Sequence, residues 1–146
     1  MRLFFAFTII FCLIACQTSS PKDAAKEKSA KEECETVKKY EAGTLWVEKC
    51  LTEGGKTYFE YYESGQVRMT GLITKPDLRS GKWMSYFQDG TPWSEHHYVD
   101  GTKDGAYMVW WPNGNKRIKG QFVKGQETGS WVFYDESENI IKEESF

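Results

Sequence analysis

The residues of this chain that could do chemistry are few, and most stand where they cannot act together. His96 and His97 are its only histidines. A pair of imidazoles could share a metal ion or relay a proton, and with Ser94 and Glu95 beside them could activate a hydroxyl nucleophile. Successive side chains on a β-strand point to opposite faces, so four consecutive residues cannot converge, and His96 and His97 are expected to part. The 21 acids are scattered through turns and polar strand positions and single out no pair. No glycine-rich loop leads from a strand into a helix to cradle phosphate. The chain is therefore expected to hold no catalytic residues, no metal and no cofactor.

The cysteines carry a different chemistry. Cys34 and Cys50 have no histidine nearby and make half a metal site at most. Their numbering suggests a better use. Tyr40-Glu41-Ala42-Gly43-Thr44-Leu45-Trp46-Val47 lines up with Tyr62-Glu63-Ser64-Gly65-Gln66-Val67-Arg68-Met69, a worn and an intact copy of one turn, with Gly43 supplying the positive φ that a hairpin needs. If that turn is of type I, closed by a glycine bulge and centred on Ala42, residues whose numbers sum to 84 face each other, as do Cys34 and Cys50. A cross-strand disulfide between them is expected, which suits an exported protein.

The N-terminus points to export. Arg2 is followed by an apolar run from Leu3 to Ile14, too short to span a bilayer comfortably and characteristic of a secretory signal. Its end, Leu13-Ile14-Ala15-Cys16, resembles the bacterial lipobox, which implies lipidation of Cys16 and an anchor of several acyl chains, each contributing ~0.8 kcal/mol per buried methylene. Gln17 is not the aspartate that marks inner-membrane retention in many Gram-negative lipoproteins, so the resemblance implies the outer membrane in a cell that has one. From Gln17 to Glu33 there is no aromatic or branched apolar residue. Such a segment cannot offset its chain entropy by burial and is expected to be a disordered tether with a span of ~20–25 Å.

What must position everything else is a repeat. Gly81-Lys82-Trp83, Gly105-Ala106-Tyr107 and Gly129-Ser130-Trp131 recur at intervals of twenty-four, and a fixed period of that length marks a repeat architecture. Turn glycines follow at Gly43, Gly65, Gly90 and Gly114, with Glu138 in the last copy. Asp89-Gly90 and Asn113-Gly114 between alternating apolar segments are strong hairpin signals. Further turns, through 100–105 and 124–129, are expected to link one hairpin to the next, so sequence neighbours become sheet neighbours. The expected fold is all-β, an extended antiparallel meander of stacked β-hairpin repeats of about 24 residues. The expected divisions are a leader at 1–15, lipidated cysteine and tether at 16–33, and a repeat domain at 34–146. Within that domain a degenerate first hairpin at 34–52 precedes repeats at 55–80, 81–104, 105–128 and 129–146.

Alternation assigns the faces. Trp83, Ser85 and Phe87 share one face with Tyr107, Val109 and Trp111 and with Trp131 and Phe133, while Met84, Tyr86, Met108 and Trp110 take the other. On the returning strands, Arg68, Thr70 and Leu72 are expected to share a side with one another, as are Trp93, Glu95 and His97, and Arg117, Lys119 and Gln121. Aromatic residues make up 16% of the chain, too many for a thin sheet to bury deeply. Most are expected to stack from repeat to repeat. Trp93, Trp110 and Trp111 are the candidates for an exposed binding face. With 19 basic and 21 acidic residues interspersed, no footprint for nucleic acid is present.

A Gly-x-Trp before an aromatic pair and an Asn-Gly or Asp-Gly turn resembles bacterial MORN-type repeats of the second kind, over about residues 55–146. Proteins with such repeats are often labelled YwqK-like antitoxins. The resemblance implies a sheet that acts by binding: a lipid-anchored envelope protein, not an enzyme, serving as a protein-binding or scaffold module. The alternatives are an immunity or antitoxin lipoprotein against an exported toxin, and a glycan or peptidoglycan binder.

Overall fold

The computed structural model describes residues 33–74 and 77–146. The expected leader, Cys16 and the expected tether through residue 32 lie outside them. The described chain is all β. Ten strands, β1 Cys34–Lys39, β2 Leu45–Thr52, β3 Gly55–Tyr61, β4 Val67–Thr74, β5 Leu78–Tyr86, β6 Pro92–Val99, β7 Thr102–Trp110, β8 Lys116–Val123, β9 Gln126–Tyr134 and β10 Ile140–Ser145, form one open antiparallel sheet in sequence order. This is the meander that the repeat spacing predicts. In the first hairpin Cys34 faces Cys50, Glu35 faces Lys49 and Thr36 faces Glu48. A disulfide joins Cys34 to Cys50, and Cys50 is buried, 2% exposed.

The hairpin turns share one geometry. The Gly90 amide donates to the Phe87 carbonyl at 2.9 Å, and the Phe87 amide donates to the Thr91 carbonyl at 2.8 Å. The same pair of bonds recurs around Gly43, Gly65 and Gly114. This is a type I turn closed by a residue in the left-handed region, which glycine enters without a Cβ penalty. In the last copy Glu138 holds that conformation at a φ of 62°. There the Asp135 carboxylate accepts the Ser137 and Asn139 amides at 2.9 and 2.8 Å, so a side chain braces the turn that lacks glycine.

Two expectations need correction, and both turn on bulges. The links between hairpins are not six-residue turns. Asp100-Gly101 and Lys124-Gly125 make two-residue turns with both φ angles positive, at 46 and 81° and at 48 and 83°, after which β7 and β9 begin at once. The strands continue through Gly105 and Gly129, where the pairing jumps: His96 faces Tyr107, but Tyr98 faces Lys103. Gly105 therefore marks a bulge, and its positive φ of 116° accommodates residues that have no partner across the ladder.

The second correction concerns sidedness. Near each hairpin turn the returning strand carries one extra residue: Glu60 faces Met69 while Tyr61 faces Val67, which leaves Arg68 over. Trp93, Arg117 and Ile141 are left over in the same way. A bulged residue breaks the alternation of faces. Arg68, Trp93 and Arg117 thus turn to the same side as Met69, Ser94 and Ile118, away from Thr70, Glu95 and Lys119.

Among the described residues the sheet has no second layer, and its core is a row of rings lying across one face, hereafter the ring face. Tyr58 faces Gly71, Gly71 faces Trp83, Trp83 faces His96, His96 faces Tyr107 and Tyr107 faces Gly120. A Cβ on Gly71 would lie 2.3 Å from the Trp83 ring, and one on Gly120 would lie 2.4 Å from the Trp131 ring. The two indoles therefore lie directly over glycine backbone. Across those glycines Tyr58 meets Trp83 at 5.5 Å and Tyr107 meets Trp131 at 5.2 Å. Trp83 is 3% and Trp131 4% exposed, and burying a side chain of that size contributes roughly 4–6 kcal/mol of gross transfer free energy.

Candidate binding groove

The ring face holds a groove of about 450 Å³ that crosses five strands, from Arg68 and Met69 on β4 to Arg117 and Ile118 on β8. Within it two small residues, Ser85 and Ser94, face each other across β5 and β6. The bulges shape its rim, because they bring Arg68, Trp93 and Arg117 to the side where the rings lie. A second depression of about 310 Å³ follows over β7 to β10, between Tyr107, Phe122, Trp131 and Phe146.

The three candidate tryptophans do not share one surface. Trp93 lines the groove and is 42% exposed, with its ring 6.1 Å from Phe87. Trp111 lies on the same side but is occupied: the Arg117 guanidinium sits 4.3 Å over its ring, and its Nε1 donates to the Tyr134 carbonyl at 3.1 Å. Trp110 alternates with the groove-lining Val109 and takes the opposite face. Only Trp93 offers a platform inside the groove.

The electrostatics come from Arg68 and Arg117, which alternation grouped with the wrong neighbours, and from Arg79, which it passed over. The Arg79 guanidinium lies 4.3 Å over the Trp83 ring and donates to the Tyr98 hydroxyl at 3.2 Å. Arg68 donates to Glu60, a buried carboxylate that also accepts the Tyr58 hydroxyl at 3.1 Å. Burial, together with the charge and hydrogen bond of Glu60, pushes the Tyr58 hydroxyl up to about 12. Among the described residues Arg79 and Arg117 have no carboxylate partner. The signal in the sequence was composition: the chain has four arginines, and apart from Arg2 all of them line this groove.

The histidines part as expected. His96 enters the groove, its ring 4.8 Å from Tyr107. Burial, with the nearby charges of Lys103 and Arg79, pushes its pKa down to about 4, so it is neutral at pH 7. Its Nδ1 is buried and has no partner among the described residues, so it is joined to neither Ser85 nor Ser94. His97 lies on the opposite face, where its Nε2 is 3.0 Å from Glu95. Burial alone would raise the Glu95 carboxyl, but hydrogen bonds and charge from Lys82 and His97 hold it below its ordinary value. The groove thus presents guanidinium donors, one open indole and the hydroxyl-bearing Ser85, Ser94 and Tyr107. It is suited to holding an anionic group beside an apolar one.

Comparison with known proteins bears on the repeat. Residues 79–100, which cover β6 and nearly all of β5, match the family model described as a MORN repeat variant. The chain carries a repeat of MORN type, and the neighbouring hairpins reproduce its turn and its bulge. No curated protein and no solved structure matches the chain.

Proposed function

We propose that this chain is a lipid-anchored, non-enzymatic module of a bacterial envelope that presents its repeat sheet to a protein partner. The observation that carries this reading is the groove on the ring face, built from consecutive repeats and crossing β4 to β8. A surface assembled by stacking repeats lends itself to recognising an extended partner, and a MORN-type repeat suits a binding or scaffold role. The apolar part of the lining, Met69, Val109 and Ile118 beside Trp93, supports a protein partner over a sugar. Envelope location rests on Leu13-Ile14-Ala15-Cys16, whose lipidation would anchor the sheet through its tether.

The test is capture from whole-envelope extract with the full chain in detergent, beside a parallel pull-down on purified cell wall. One stoichiometric protein partner is the expected result. Retention on cell wall with no protein captured would replace this reading with glycan binding. Membrane fractionation of C16S checks the anchor: the variant should move to the soluble fraction, and a variant that stays with the membrane would remove lipidation from the reading.

A further inference from the structure

The groove concentrates one residue type. Of 19 basic residues only four are arginine, and every arginine apart from Arg2 lies in its lining, where no carboxylate stands among the lining residues. The chain as a whole has more acids than bases, so the groove runs against the general balance. Arginine differs from lysine in presenting a planar fork of five donors that meets a carboxylate through two parallel hydrogen bonds.

The forks are also held in place. Arg79 is fixed between the rings of Trp83 and Tyr98 and spends one donor on the Tyr98 hydroxyl and one on the Met69 sulfur. Arg117 is stacked on Trp111, itself anchored to the Tyr134 carbonyl, and among the described residues its donors have no acceptor. A side chain already restricted by stacking loses less entropy on binding. Arg68 and Arg117 occupy the same bulge position in alternate repeats, with Trp93 in the repeat between them, so the rim reads cation, indole, cation.

We infer that the groove receives an extended acidic segment of a partner protein, laid across the strands, with an apolar side chain on Trp93 and carboxylates at Arg79 and Arg117. The inference rests on the protein-binding reading above and names the chemistry of the partner. Four strand spacings of about 4.8 Å make the groove roughly 19 Å long, which about six residues of extended chain would fill. The segment crosses the strands instead of adding to a sheet edge, so its recognition depends on side chains in the groove.

The experiment is binding of the full chain in detergent to an array of random hexapeptides, with hits re-measured by fluorescence anisotropy. Bound sequences should be enriched in Asp and Glu, and binding should weaken as salt rises from 50 to 500 mM, on the order of tenfold or more for two charge contacts. R79Q and R117Q should each weaken binding about tenfold, R117K should recover part of the loss, and W110A on the opposite face should change nothing. Near-ultraviolet circular dichroism checks that each variant is folded. Hits without acidic enrichment, acidic hits unaffected by both glutamine variants, or binding of anionic phospholipid vesicles but of no peptide would each overturn the inference. An envelope partner captured equally by the wild type and the R79Q/R117Q double variant would remove the groove but leave the protein-binding reading standing. Failure of both chains to capture any partner would count against that reading itself.

Discussion

At the scale of single residues, a one-layer sheet buries its tryptophans by removing the side chain beneath them. Trp83 lies over Gly71 and Trp131 over Gly120, while in the repeat between them the smaller Tyr107 faces His96. The two indoles are equally buried but differ in one bond. Trp83 Nε1 donates to the Leu72 carbonyl at 3.1 Å, whereas Trp131 Nε1 is buried with no partner among the described residues. W83F should therefore destabilise the sheet by about 1 kcal/mol more than W131F in urea unfolding, because only the first breaks a hydrogen bond. His96 gives a pH dependence. Its folded pKa of about 4 lies below its ordinary 6.5, because burial and the charges of Lys103 and Arg79 disfavour the imidazolium. Above pH 6.5 neither state holds the proton and stability does not depend on it. As pH falls from 6.5 toward 4 the unfolded chain takes up a proton that the folded chain refuses, so stability declines through that window and levels off below it. The difference in urea midpoint between wild type and H96Q, followed from pH 7 to 4, isolates this effect from the carboxylates and from His97. A difference that stays flat through that window would contradict it.

At the scale of elements, β1 is held by its pairing to β2 and by the disulfide rather than by burial. Every residue of β1 is exposed, and the disulfide to the buried Cys50 ties it to β2. In a repeat array each unit contacts only its neighbours, so reduction should release β1 locally. Hydrogen exchange should accelerate at residues 34–39 and stay unchanged from β5 to β9; acceleration throughout would mean that the hairpin caps the whole sheet. How far the elements could be read from the sequence follows from the chemistry of each turn. Asp89-Gly90 and Asn113-Gly114 announce their turns, because few residues other than glycine accept that φ. Cys34 and Cys50 do face each other, but only because an extra residue on each strand, Trp46 and Val37, offsets the other, which the turn does not announce. Gly105 and Gly129 require positive φ for a different reason, a bulge inside a strand, and composition does not separate the two uses. The second bulge leaves no residue signature, since Arg68, Trp93, Arg117 and Ile141 all occupy it. Alternation therefore places Trp83, Tyr107, Trp131 and Phe133 together correctly and fails on the returning strands beside each turn. That failure grouped Arg68 with Thr70, Trp93 with Glu95 and Arg117 with Lys119, whereas the bulges turn all three to the side of the groove.

At the scale of the whole molecule, a sheet whose strands pair only with their sequence neighbours should tolerate the loss of a repeat, provided the new neighbours fit. Deleting residues 105–128 joins Asp104 to Gly129 in the same phase of the repeat and sets the end of β9 beside β6. The junction then places Trp131 opposite His96, where Tyr107 stood, although both tryptophans in the intact sheet lie over glycine. The eight-strand chain should fold but be overpacked there, at a cost of about 1–3 kcal/mol. H96G should then act with opposite signs in the two chains. In the intact protein it leaves Tyr107 without the ring now 4.8 Å away and adds a flexible residue to a strand, which should destabilise by at least about 0.5–1 kcal/mol. In the shortened chain it restores the glycine that an indole requires, and should stabilise. Urea unfolding of the four chains measures this directly. A sign reversal would show that fit between adjacent repeats, more than the identity of any single repeat, determines which sheets can form. The same sign in both chains would mean that the register across the junction had shifted and that the repeats are not interchangeable units. The deletion also removes Arg117 and the β7–β8 wall of the groove, so the folded eight-strand chain should lose binding of acidic peptides.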